Sequence, residues 1–214
     1  DGDEMNMHMP QNDEAESELR YLANIPNHIV SPANNKPIIG IFQDSMIGSF
    51  LFTRENISFT RKEAMNLLMK TNVFKTTSLF EDETKQEYSS FEILGEIIPN
   101  ITLKYKTDRF KSNENYNISN KVLEIQNGKI HRGQFDKSVL GGSSKGLLHR
   151  IKKDYDSNSC KDFVDNLQGI ITEYMKTTGF SVGISDLIAD DNTNEEIGKI
   201  ILDKKKEVSN LIDQ

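Results

Sequence analysis

Two carboxylates flank a glycine at Asp1-Gly2-Asp3, a spacing that suits the capture of a small divalent cation. Glycine admits a tight turn with positive φ, so the two aspartates can aim their oxygens at one point. Magnesium fits that pair. It takes hard oxygen ligands in an octahedral shell and commonly completes one or two protein carboxylates with waters and substrate phosphates. The same tripeptide is also an ordinary solvated turn, since Asp and Gly are both turn residues. A third reading, a calcium loop using Asp1, Asp3 and Glu4, lacks the continued ligand spacing of an EF-hand.

Other reactive groups are less organised. His8, His28, His131 and His149 are scattered, none pairs with Cys160 at a zinc-like spacing, and no nucleophile motif accompanies them. Gly141-Gly142-Ser143-Ser144 has the glycines of a phosphate cradle without the Walker pattern, which leaves a turn as the simpler reading. Lys104, Lys106, Arg109 and Lys111 are interleaved with Tyr105 and Phe110, as on a nucleic-acid face or on an exposed strand face. Lys145, His149, Arg150, Lys152 and Lys153 form a second basic group with the same two readings.

The elements that position these groups are readable from caps and periodicity. Asn12 opens a helix over 12–23 with Ala15, Leu19 and Leu22 on one face, and Pro26 ends it. Residues 29–53 mix Ser-Pro and Lys-Pro turns with apolar stretches, the pattern of extended strands and close backbone passes. Thr60-Arg61-Lys62-Glu63 is a capping box, so a second helix starts there with Ala64, Leu67 and Leu68 inward. From 76 to 134 strands and loops are expected, with strand segments at 97–99 and 101–106 and a polar loop at 112–120. Asn127-Gly128 predicts a hairpin with a type I′ turn. Ser159 to Asp162 predicts another cap, with Phe163, Leu167, Ile170, Ile171 and Tyr174 on its helix and Gly179 closing it. A last helix opens at Thr193 and carries Ile197, Ile200, Ile201, Val208, Leu211 and Ile212.

Composition sets outer limits. The 214 residues suffice for one large domain or two modest ones, and 36% hydrophobic with 28% charged residues describes a globular chain with a polar surface. Apolar runs such as 38–42 and 46–52 are too short to span a bilayer, so no membrane segment is expected. A single cysteine forms no internal disulfide, which agrees with a reducing compartment, and Cys160 is expected to pack in a helix. Net charge is −7, with seven acids in the first eighteen residues. A free-standing nucleic-acid binder is more often basic, and an acidic patch suits metal binding better.

The string from Asp1 to Gln11 resembles the aspartate loop in the largest subunit of multisubunit DNA-directed RNA polymerases. There, Asn-Ala-Asp-Phe-Asp-Gly-Asp-Glu-Met-Asn is followed by His and Pro-Gln, and Asp1 stands at the second aspartate. The resemblance continues through Ser31 to Pro37, Gln43 to Gly48, Gly141 to His149 and Gly179 to Asp190, in the family's order. One departure is Ser185, where the family usually has glycine.

This resemblance implies an α+β fold of mixed helices and short antiparallel strands. It implies a tail of the active-site double-psi barrel over 1–33, a pore domain over 34–190, and the first helix of the funnel hairpin over 191–214. Asp1 and Asp3 would be two of three magnesium ligands for template-directed nucleotidyl transfer, and the chain alone would be inactive. Implied partners are the second-largest subunit and other polymerase subunits, with DNA template, RNA product and nucleoside triphosphates. The location would be the nucleus, or host cytoplasm and virion for a viral member. The motif start and the unterminated last helix read as a piece of a longer chain. An alternative is a noncatalytic pore and funnel module that docks elongation or cleavage factors.

Overall fold

Asn12 caps the first helix as its side chain dictates: Oδ1 accepts the Ala15 N–H at 2.8 Å, and α1 runs Asp13–Tyr21. The structure, a computed structural model, describes residues 3–74 and 77–212. It divides into two compact units, Asp1–Thr178 and Gly179–Gln214. The architecture is α+β, as the sequence led us to expect. Pro26 lies in a short 3-10 turn, Ile25–His28, beyond the end of α1. Leu19 and Leu22 are exposed, so the apolar face of α1 has no core to meet within the described residues.

Strands β1 (Val30–Ser31) and β2 (Lys36–Pro37) pair antiparallel in a two-residue ribbon. The extended pattern expected through residue 53 stops there, because Gln43–Phe52 is a helix, α2. Its apolar residues surround the axis, so no 3.6-residue stripe marks it; Gly48, Ser49, Leu51 and Phe52 are all buried. Phe52 is fully buried between Phe59, stacked at 5.2 Å, and Tyr174, edge-on at 5.0 Å. Full burial of such a ring contributes about 2–3 kcal/mol.

Strands β3 (Ser58–Thr60) and β4 (Glu87–Ser89) pair antiparallel, and each ends in the N-cap of the next helix. Thr60 and Glu63 form the predicted capping box of α3, Arg61–Leu68. Ser89 and Glu92 form a second box for α4, Ser90–Gly95, a helix the sequence reading left among strands and loops. Six residues are too few to show a helical period. Arg61 secures the loop between α3 and β4, donating to Phe80 O at 2.7 Å, Asp82 O at 2.8 Å and Tyr88 Oη at 3.2 Å.

The first capping box makes a measurable prediction. The Thr60 backbone N–H, then its hydroxyl, holds Glu63 below the ordinary glutamate value of 4.5. A depressed carboxylate adds stability that is complete above its unfolded value and lost as pH falls through the folded one. In urea titrations, Thr60→Ala should cost about 1 kcal/mol at neutral pH. The deficit of Glu63→Ala should shrink on acidification below pH 4.5; a deficit that grows there would contradict the cap.

A three-stranded antiparallel sheet follows, in the order β5 (Leu103–Lys106), β6 (Val122–Gln126), β7 (Lys129–Arg132). The β6–β7 turn is the predicted one, with φ of 49° at Asn127 and 76° at Gly128. Ile97 to Pro99 is not a strand; Ile97 and Ile98 are core residues on the chain leaving α4. After α5 (Lys137–Leu140) and α6 (Leu147–Asp154) comes α7, Ser157–Met175, which packs against α2, α3 and α6. Its cap is Asp156, accepting the Ser159 N–H at 2.6 Å, three residues before the expected start. The helix ends at Met175 with Lys176 as its C-cap, so Gly179 does not close it.

In the second unit, a 3-10 turn spans Ile184–Asp186, where Asp186 Oδ2 accepts the Gly183 N–H at 2.8 Å. Ser185 sits in that turn outside the left-handed region, so its Cβ meets no backbone objection. The final helix, α8, spans Asp191–Ile212, beginning two residues before the expected start. Asp190 Oδ1 accepts the Thr193 N–H at 2.9 Å, and no residue of α8 is buried. Among the described residues, no helix is long and apolar enough to cross a membrane.

Candidate functional site

Two of the sequence motifs, far apart in the chain, meet at one surface of the first unit. The β1–β2 turn carries Asn35 at φ 49°, and Asn35 Oδ1 lies 3.4 Å from His149 Nε2 at the start of α6. Between them, the Ile41 N–H donates to Leu140 O at 3.1 Å. A Cβ on Gly142 would stand 2.8 Å from Pro37 O, so only glycine lets this turn approach β2 so closely. The Ser45 hydroxyl accepts from Gln168 Nε2 of α7 at 2.7 Å, tying the Gln43 to Gly48 motif to the central helix.

Asn34, Lys36 and Ile38 beside that surface are exposed, as are Phe42, Gln43 and Asp44 at the start of α2. Gln43 is in the left-handed region, at φ 49°. A non-glycine residue there costs free energy and persists only when its surroundings enforce it. In the Gly141 to Ser144 stretch, part of the backbone is engaged within its own turn. The Gly141, Ser143 and Gly146 N–H groups donate to Lys137 O, Gly141 O and Ser143 O at 2.8–3.0 Å.

Of the two predicted metal residues, one belongs to the described residues. Asp3 is an exposed residue of a bend, and Asp1, the other predicted ligand, lies outside the described residues. Among the described residues, no group of three His, Cys, Asp or Glu side chains is gathered to hold a metal ion. The donor chemistry of Asp3 suits magnesium, and its carboxylate needs oxygen ligands from beyond that set to form a site.

Several of the remaining candidates have structural partners. Cys160 is buried, its thiol 3.5 Å from Leu148 O, and burial pushes its pKa up to about 11, which makes it a poor nucleophile. His28 Nε2 lies 2.7 Å from Leu22 O. In the first basic group, Lys104 pairs with Glu124 at 3.2 Å, and Arg109 lies 4.7 Å from the Phe50 ring centre. Lys106 sits 4.7 Å from the ring centre of Phe110. Hydrogen bonds from Arg132 and then Lys104 hold Glu124 below the usual carboxylate range. Lys104 and Lys106 thus act on the β5 side, and Arg109 reaches α2. In the second group, Arg150 pairs with Asp154 at 2.5 Å, one helical turn away.

The sequence model of RNA polymerase Rpb1, domain 3, matches residues 28–187, which is most of this chain and contains both motifs that meet there. The chain belongs to the largest-subunit family of DNA-directed RNA polymerases. It is 31% identical over 211 residues to DNA-directed RNA polymerase subunit 1 of Acanthamoeba polyphaga mimivirus. That alignment covers 97% of this chain and 13% of the viral protein. It is 28% identical over 223 aligned positions to subunit Rpo1N of Methanococcus vannielii, covering 100% of this chain and 25% of that protein. The chain thus spans a quarter or less of these relatives' lengths.

Within the Rpb1 family match, the left-handed Gln43 and the contact of Gln168 with Ser45 were not anticipated from sequence. Glutamine is not a residue that announces positive φ, and no local pattern connects positions 45 and 168. The one available signal was the Gln43-Asp44-Ser45 string itself, which marked the place without its geometry.

Proposed function

We propose that this chain contributes part of the catalytic subunit of a DNA-directed RNA polymerase, forming the wall of the nucleotide-entry channel behind a magnesium site. Membership of the Rpb1 family, carried by the match over residues 28–187, is the observation that supports this reading. On it, residues 1–33 are the tail of the active-site barrel, 34–190 the pore domain and 191–214 the start of the funnel hairpin. Asp1 and Asp3 then bind one magnesium ion through hard carboxylate oxygens, with further ligands from the rest of the assembly. Magnesium, when bound, supplies charge stabilisation for the attacking hydroxyl and the departing pyrophosphate.

The chain's own residues would do the positioning. Asp3 is exposed, and the core of the first unit would hold the surface where the Asn35 and His149 motifs meet as a fixed wall. Partners on this reading are the second-largest and other polymerase subunits, template DNA, nascent RNA and nucleoside triphosphates. Factors entering the channel could meet α8, whose apolar residues are exposed. The setting would be the nucleus, or the host cytoplasm and virion for a viral enzyme.

A crosslinking experiment tests this. RNA with a photoreactive 3′ terminus, bound in the assembled polymerase, should crosslink within residues 1–11, and the purified chain alone should incorporate no nucleotide. Crosslinks confined to other parts of the chain, or incorporation by the chain alone, would overturn the reading.

A further inference from the structure

Residue pair Asn127-Gly128 is the only Asn-Gly step in the chain. Such a step is chemically labile, because glycine lacks a side chain to shield its backbone nitrogen. After water or hydroxide removes the Gly128 amide proton, that nitrogen can attack Cγ of Asn127. The N–Cγ bond forms, Nδ2 leaves as ammonia, and water then opens the cyclic imide at one of its two carbonyls. Attack at one carbonyl yields aspartate. Attack at the other yields isoaspartate, which adds a methylene to the main chain.

In the fold, the attacking nitrogen and the side-chain oxygen beside its target carbon are already engaged. The Gly128 N–H donates to Ile101 O at 2.9 Å, which opposes loss of its proton. The Asn127 N–H donates to Thr102 Oγ1 at 3.1 Å, and the Thr102 hydroxyl donates to Asn127 Oδ1 at 3.4 Å, restraining the side-chain amide. Gly128 is itself buried, and a Cβ there would be 3.1 Å from both Ile98 O and Pro99 O. Asn127, by contrast, is exposed to the water that the reaction consumes.

We propose that Asn127-Gly128 is a latent self-modification site, protected from deamidation while the β6–β7 hairpin is closed against residues 98–102 and reactive when it opens. The two products have opposite consequences. Aspartate keeps the turn, because Asp-Gly also suits type I′. Isoaspartate lengthens a two-residue connection and displaces β7, which carries buried Ile130 and the Arg132 guanidinium that pairs with Glu124 at 2.8 Å. The hairpin therefore records how often it has opened. The record is chemical and irreversible without repair.

Peptide mapping by mass spectrometry tests the proposal on the whole chain in mildly alkaline buffer, folded and in urea at matched pH. The folded chain should deamidate at Asn127 at least about tenfold more slowly than the unfolded one, since local opening must precede reaction. Thr102→Val should accelerate the folded-state rate without changing the urea rate. Equal rates in the folded and unfolded chain would overturn the proposal, and that comparison holds whatever Thr102→Val does to folding.

Discussion

In the assembled polymerase, Asp3→Ala is expected to abolish RNA synthesis while leaving DNA binding largely intact. Losing a partner that only orients a metal ligand commonly costs 10- to 100-fold, so if Asp3 is a ligand, as proposed, its loss should lower synthesis by more than about a hundredfold. Affinity for DNA comes mainly from cations that neutralise phosphates, and removing one exposed carboxylate does not weaken that attraction. The comparison needs two assays on the same assembly, run-off synthesis at saturating nucleotide and filter binding of template. Asp3→Glu is the informative control, since it keeps the charge and moves the oxygens outward. Retained synthesis in Asp3→Ala would remove Asp3 from the metal role, and lost DNA binding would point to misassembly.

The second large effect is structural: Phe52→Ala should destabilise the first unit by about 3–5 kcal/mol. The ring is fully buried and touches Phe59 after α2 and Tyr174 near the end of α7, so its removal opens a cavity where three segments meet. Interleaved ring contacts add to the loss because they depend on geometry as well as on buried area. A change of that size is a large share of the roughly 5–15 kcal/mol that stabilises an ordinary domain. Urea denaturation should show a lower midpoint with an unchanged slope. A loss under about 1 kcal/mol would mean that the α2–α7 contact is not a main support of the fold.

Local signals carried much of the architecture. Asn12, Thr60 with Glu63, and Asn127 with Gly128 act through hydrogen bonds or φ angles set within a few residues, and each is found where the sequence placed it. Helix α2 was not legible, because burial on several sides erases the polar face that reveals a helical period. Helix α4 had its signal in Ser89-Ser90-Phe91-Glu92, yet its six residues offer too little periodicity to separate it from neighbouring strands. For α7, Asp156 and Ser159 are competing caps three residues apart, and the aspartate took the role.

Legibility of the candidate site was of a different kind. Resemblance to the polymerase family marked the strings, but only tertiary structure brings Asn35 within reach of His149, 114 residues away. Of the two predicted metal ligands, Asp3 belongs to the described residues and Asp1 does not. Their pairing rests on motif resemblance, which no periodicity or cap in the rest of the chain could supply.

The paired strands β3 and β4 also bear on engineering. Thr60 lies opposite Glu87, and Arg61 fastens the connecting segment to Phe80 and Asp82 at its base. The ends of that segment are thus already held together, and lengthening a closed loop costs only about 0.6 kcal/mol per doubling. Within that segment Glu83 is exposed. It offers an attachment point for a fluorophore or affinity tag that leaves both strands in place.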